Sequence, residues 1–331
     1  MLPKQFMVFF IQDTQVMLDK IFPYISDIET GAAADFFAVE SVFSGNMPAE
    51  IERDISLMYS SGFTVPDQLE IEMACDPDVP VSDRCYALVH VFRQRDVDIV
   101  AIAKKCRDEM AGLNHDDIEA EVERRVTEAK SMAPIVDTRT PVFIRGDGAL
   151  IIGAVGTRAD VVKQDFLEMF CSEVLPVDDD HDFERYDVPD VTRDLKALTC
   201  GFNQKCFDLI SRDVYGDDLD LDELDELIDF DRGFQISLPN KGKMSVDGVS
   251  QLPEGFRGSL QGADYKQIKV LVSTPEFRYH VAVTSKAEFK SLKLHSDYVL
   301  EDPAPRLVIN ELMSIRSAVM ENLSIPEEAD D

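Results

Sequence analysis

Basic residues are scarce in this chain: 33 lysines and arginines stand against 64 aspartates and glutamates, a formal charge of -31 over 331 residues. That shortage excludes a generic basic nucleic-acid binder and a polybasic membrane clamp, but leaves room for a small basic surface inside an acidic shell. Long apolar runs are missing too; none approaches the ~18 residues that span a bilayer. The opening segment holds one lysine and a short apolar run through Ile11, with no small-residue cleavage site before Asp13. It reads as a strand, not a signal peptide. The six cysteines (Cys75, Cys85, Cys106, Cys171, Cys200, Cys206) form no CxxC pair, which points to free thiols in a reducing cytoplasm. His90, His115, His181, His280 and His295 fit neither HExxH nor a cysteine–histidine metal spacing. A GxSxG elbow, a Walker loop and a compact acidic nuclease motif are absent as well. The sequence offers no positive evidence for an enzyme, a metal or a cofactor.

What is present is a folded composition, 45% hydrophobic and 29% charged, with strand and helix signals alternating through the first half. Gln5–Ile11 predicts a strand and Thr14–Phe22 a short helix. A helix is expected over Pro48–Ser60, with Pro48 in its first turn and Gly62 as its stop. Gln68–Ala74 and Arg84–Phe92 read as strands. Helices Asp98–Met110 and Asp116–Met132 follow, the second with Asn114 as its N-cap and a narrow Ile118/Val122/Val126 stripe. Gly146-Asp147-Gly148 between Pro141–Arg145 and Ala149–Ala154 is a hairpin signature. It is not a phosphate loop: Ile151 stands where a third glycine is needed, and a strand follows in place of a helix. Thr157 caps a helix through Cys171 with Val161, Phe166, Leu167 and Phe170 inward. Pro176 to Pro189 is acidic and loop-like, and the pattern is then helical to about Arg212. Pro303–Leu323 is a last helix, its Val308/Leu312/Ile315/Val319/Leu323 stripe spaced 4, 3, 4 and 4.

Two segments stand out by charge. Asp217–Asp231 holds nine carboxylates in fifteen residues. It lacks the sixth-position glycine and the closing glutamate of an EF-hand loop, whereas Leu221, Leu224, Leu227 and Ile228 form a helical stripe. A solvated helix is the expectation, with an acidic patch that imitates DNA or docks a basic partner as the other reading. Residues 240–295 are the exception in sign, with nine basic and five acidic side chains. Three strands are expected there: Ile268–Thr274, Phe277–Val283 and Phe289–Leu294. Alternation puts Ile268, Val270 and Val272 on one face and Gln267 and Lys269 on the other. In the next strand Tyr279, Val281 and Val283 oppose Arg278 and His280. Such a sheet, apolar behind and basic in front, suits phosphate contact. Lys269, Arg278, Lys290 and Lys293 are the principal candidates, Lys241 and Lys243 the weaker ones. Strict alternation sets Lys290 and Lys293 on opposite faces.

The strand Phe277-Arg278-Tyr279-His280-Val281-Ala282-Val283, then Phe289-Lys290-Ser291-Leu292-Lys293-Leu294 and the long final helix, resembles the C-terminal pattern of the bacterial recombination-associated protein RdgC family. Helix Ile118–Met132, the hairpin after it, helix Arg158–Cys171 and Leu175-Pro176-Val177 are similar to a second family block. The opening Lys4–Phe10 and the strand-turn-helix Leu88–Lys105, with Arg93-Gln94-Arg95-Asp96 at its turn, add to the resemblance. It implies an α+β fold of mixed sheets with flanking helices, in a horseshoe-shaped subunit whose homodimer closes into a ring around double-stranded DNA. It further implies binding without sequence preference, restraint of RecA-driven recombination, no catalysis, and a cytoplasmic, nucleoid-associated protein. The expected divisions are an N-terminal and central α+β region (1–175), a divergent acidic, tip-like region (176–265), a C-terminal sheet and helix (266–325), and a disordered tail (326–331). The alternative is an acidic interaction protein, or DNA mimic, that keeps the fold and sequesters a DNA-binding partner.

Overall fold

The computed structural model describes residues 2–11, 14, 17–21, 59–64, 80, 84–112, 114–171, 173–174, 186–187, 191–192, 195–215, 227–238, 242–247, 252–300 and 303–323. The elements run β1 (Met7–Ile11), β2 (Tyr59–Thr64), β3 (Cys85–Arg95), α1 (Ile99–Glu109), α2 (His115–Met132), β4 (Ile135–Arg145), β5 (Ala149–Ile152) and α3 (Thr157–Phe166). Helix α3 continues as a wider turn over Leu167–Cys171. Then come β6 (Glu173–Val174), β7 (Tyr186–Asp187), β8 (Val191–Thr192) and α4 (Leu195–Ile210). The chain ends with β9 (Ile228–Leu238), β10 (Gly242–Asp247), the short α5 (Arg257–Gln261), β11 (Asp264–Ser273), β12 (Arg278–Thr284), β13 (Phe289–Leu294) and α6 (Pro305–Leu323). This is an α+β fold with two large antiparallel sheets among the described residues, one ordered β2-β3-β4-β5-β1-β8 and the other β10-β9-β11-β12-β13, beside a two-stranded β6–β7 ladder.

The centre of the first sheet is buried on both faces, and its sequence there is accordingly apolar at consecutive positions. Met7, Phe9, Tyr86, Leu88, Val142, Ile144, Leu150 and Ile152 pack with Ala159, Val162, Phe166 and Phe170 of α3 and its extension. Their neighbours Phe6, Val8, Cys85, Ala87, Phe143, Ala149 and Ile151 join the core shared with α4, α6 and the second sheet. Helix α6 lies between the sheets, touching β3 and β4 on one side and β9 and β11 on the other. All five residues of its expected stripe are buried, and so are Ile309, Met313 and Ala318, because two sheets and not one must be satisfied. Each fully buried aliphatic side chain there contributes about 1.5–3 kcal/mol. The sheets are also stitched by backbone: Phe6 N–H donates to Phe289 O at 2.8 Å, and Phe289 N–H returns the bond at 3.0 Å.

Several expectations need correction. Gly62 does not stop a helix; it sits inside β2 opposite Val91, with Phe63 in the core next to it. Residues 48–58 and the expected strand Gln68–Ala74 lie outside the described residues. Val161 is 37% exposed; Ala159 and Val162 point inward with Phe166, and Leu167 and Phe170 are buried beyond it. The N-cap of α3 is Gly156, with Thr157 already helical. Asn114 occupies the N-cap of α2 without a side-chain bond. Asp98 does cap α1, accepting from the Ala101 N–H at 2.9 Å.

The largest correction concerns the acidic run. Its end is not helical: Ile228–Asp231 begins β9, with Ile228 and Phe230 in the core and Leu227 exposed. Leu221 and Leu224 fall outside the described residues. Leu221, Leu224, Leu227 and Ile228 carry helical spacings in the sequence, but Ile228-Asp229-Phe230-Asp231 is the period-two pattern of a half-buried strand. The sheet thus gains two strands, β9 and β10, that the three-strand reading of the basic block did not contain.

Candidate nucleic-acid interface

The second sheet has its apolar back on the core and its front away from it. Ile268, Val270, Val272, Tyr279, Val281 and Val283 are buried behind, as alternation requires. Lys269 stands on the front of β11, opposite Gly233 on β9 and Ala282 on β12. Arg278 and His280 share that front on β12. Lys290 pairs with Ala282 and Lys293 with His280, so a two-residue step on β12 matches a three-residue step on β13. The extra residue is Ser291, held at φ 55. This bulge resets the alternation: Phe289 and Leu292 are buried behind, and Lys290 and Lys293 come to the same face. The expectation of opposite faces is therefore wrong.

Each of the principal candidates except Lys293 meets a carboxylate. Lys269 crosses β9 to reach Asp247 on β10, Nζ to Oδ1 2.8 Å. Position 233 must be glycine for that crossing, since a Cβ there would lie 2.7 Å from Lys269 Cδ. Arg278 Nη2 donates to Asp229 at 3.0 Å. Lys290 Nζ is 2.7 Å from Glu288, whose carboxylate is nearly buried in the turn before β13. Lys290 is accordingly tied to a nearly buried carboxylate that also accepts from Thr284 Oγ1 at 3.3 Å. Lys293 is exposed, as is Lys243 on β10; Lys241 lies outside the described residues.

Two further features went unread in the sequence. Asp229 and Asp231, read as part of a helix, are delivered by β9 to the basic front. His280 lies 2.8 Å from Asp231 through Nδ1 and stacks on His295, ring centres 5.2 Å apart. Tyr298 meets His295 edge-on, and Phe277 meets Tyr298. The cue was available: Asp229 and Asp231 alternate with Ile228 and Phe230, which fixes them opposite the core.

The back of the sheet is electrostatically quiet. Burial pushes the Tyr279 hydroxyl well above the usual phenol range, helped by the Glu311 carboxylate. Burial does the same to Tyr265. Both stay neutral, as an apolar back requires. The front instead sets Lys269, Arg278, Lys290 and Lys293 among Asp229, Asp231, Asp247 and Glu288 on a strongly acidic chain. Among the described residues, no helix is long and apolar enough to cross a membrane. No protein-family model and no curated protein matches this chain.

Proposed function

We propose that this protein binds double-stranded DNA without sequence preference through the front of the second sheet. In this reading it acts as a homodimer whose subunits close into a ring and restrain RecA-type recombination. The supporting observation is the β13 bulge, which sets Lys293 and Lys290 beside Lys269 and Arg278 on one pleated face. Exposed ion pairs contribute only about 0–1 kcal/mol each, so phosphates can displace Asp247 from Lys269 and Asp229 from Arg278 at little cost. Phosphate contacts position a protein without reading bases, and the acidic remainder repels DNA from every other surface.

The test is Lys269→Ala/Arg278→Ala in a salt titration on random duplexes. Affinity should fall equally for all sequences, and the log–log salt slope should shrink by about 1.8, roughly 0.9 per lost contact. A double variant that is folded and binds like the parent, with the same slope, would show this face to be ordinary surface.

A second reading is favoured by the carboxylates on that same front. Asp229, Asp231 and Asp247 could receive a basic, DNA-binding partner in place of DNA. Asp229→Asn/Asp247→Asn separates the two readings: it tightens duplex binding under the first and abolishes partner capture under the second.

A further inference from the structure

Strand β10 ends the second sheet, and no strand pairs with its outer side among the described residues. The opposite edge is treated differently: β13 is covered by the N-terminal segment, through the Phe6–Phe289 bonds and a Leu292 N–H to Lys4 O bond of 2.7 Å. An uncovered edge displays a row of backbone donors and acceptors ready to take another strand. Of the usual edge protections, β10 carries only its shortness and two exposed charges, Lys243 and Asp247. It has no proline, no bulge in its six-residue register with β9, and no charge pointing inward. Met244 and Val246 pack back toward the core, while Lys243, Ser245 and Asp247 are exposed on the front.

We infer that this edge takes β10 of a second copy of the chain, antiparallel, about a two-fold axis through Ser245. The sequence Lys243-Met244-Ser245-Val246-Asp247 is self-complementary about that centre. Residues directly opposite in an antiparallel pair share a face, so Lys243 of each copy meets Asp247 of the other on the front. Met244 meets Val246 behind, extending the apolar back, and Ser245 meets Ser245. Moving the centre to Met244 or Val246 loses both Lys243–Asp247 matches, and a one-residue slip would put front against back. An isologous contact of this kind closes on itself and needs no further copies. Asp247, 74% exposed and already bonded to Lys269, becomes the bridge between Lys269 and Lys243 of the second copy.

This inference rests on the dimer and the DNA-binding front proposed above, and it says how the one serves the other. A two-fold perpendicular to the sheet keeps both fronts on the same side. The five strands of each copy then form one ten-stranded floor. At ~4.8 Å per strand it is about 48 Å across, the length of about 14 base pairs at a 3.4 Å rise.

Sedimentation of the full chain without DNA tests the pairing. The parent should be a dimer at micromolar concentration. Lys243→Asp and Asp247→Lys should each weaken it at least tenfold by setting like charges opposite, and Lys243→Asp/Asp247→Lys should restore it. Ser245→Cys should cross-link to a covalent dimer under mild oxidation where the parent does not. Circular dichroism confirms that each variant is folded. A monomeric parent, single variants that dimerise as the parent does, or a double variant that fails to recover would each overturn the inference. None of these outcomes depends on DNA, so the front stands or falls separately by the Lys269→Ala/Arg278→Ala titration.

Discussion

His90 is fully buried, and its two ring nitrogens are both engaged. Nε2 lies 2.6 Å from Asp165 Oδ2, and Nδ1 lies 3.4 Å from Arg158 Nη2. A guanidinium only donates, so Nδ1 accepts and the ring proton sits on Nε2, facing the carboxylate. Arg158 also donates to Thr140 Oγ1 at 3.2 Å and Thr138 O at 3.1 Å, and it covers the Phe92 ring. Burial holds its pKa below the ordinary arginine range. The network ties α3 to β3 and β4. Asp165→Ala leaves a buried imidazole N–H unpaired and should cost about 1–3 kcal/mol, read as a lower urea midpoint at unchanged m-value. Gly148 is a second residue with a sharp expectation. It sits at φ +96, and a Cβ would lie 2.4 Å from Ile11 O. Gly148→Ala should therefore cost about 1–3 kcal/mol, measured in the same denaturation series.

At the scale of elements, ion pairs within helix α2 stiffen it, and Arg125–Glu109 and Arg107–Glu119 link it to α1. Glu121 accepts from both Arg124 and Arg125, and Arg125 also bonds Glu109 at 2.6 Å. Hydrogen bonds from Arg124 and then Arg125 lower the Glu121 pKa from 4.5 to about 2. A carboxylate lowered on folding contributes stability above its unfolded pKa and loses it as pH falls through the folded value. Helix α2 should therefore lose hydrogen-exchange protection between pH 4.5 and 2, ahead of β4 and β5. Equal protection across that window would mean the ion pairs hold nothing. Much of this element layout was legible. The final helix follows from its 4-3-4-4 spacing, the hairpin from Gly146-Asp147-Gly148, and the buried back from Ile268, Val270 and Val272. The rest was hidden for definite reasons. Leu221, Leu224 and Leu227 mask the strand pattern of Ile228 and Phe230. No local signal marks Ser291 as a bulge, since φ 55 there answers to pairing with β12. The candidate cations were legible as residue types; the carboxylate partners of Lys269 and Arg278 depend on β9 and β10 and were not.

For the whole molecule, a charge of -31 makes association with any polyanion a contest between one local face and the long-range field. Screening weakens the field at a Debye length of about 8–10 Å, while each phosphate contact on the face loses affinity as salt rises. In the proposed reading, Lys269, Arg278 and Lys293 make the phosphate contacts, while Lys290 keeps its nearly buried partner Glu288. The most direct measurement is fluorescence anisotropy of the parent chain on two duplexes of unrelated sequence between 50 and 200 mM salt. Equal affinities for both duplexes, with a log–log slope of about -2.7 per chain from three contacts, are the predicted result. No binding at the lowest salt, or an affinity that differs between sequences and ignores salt, would contradict a phosphate-binding front.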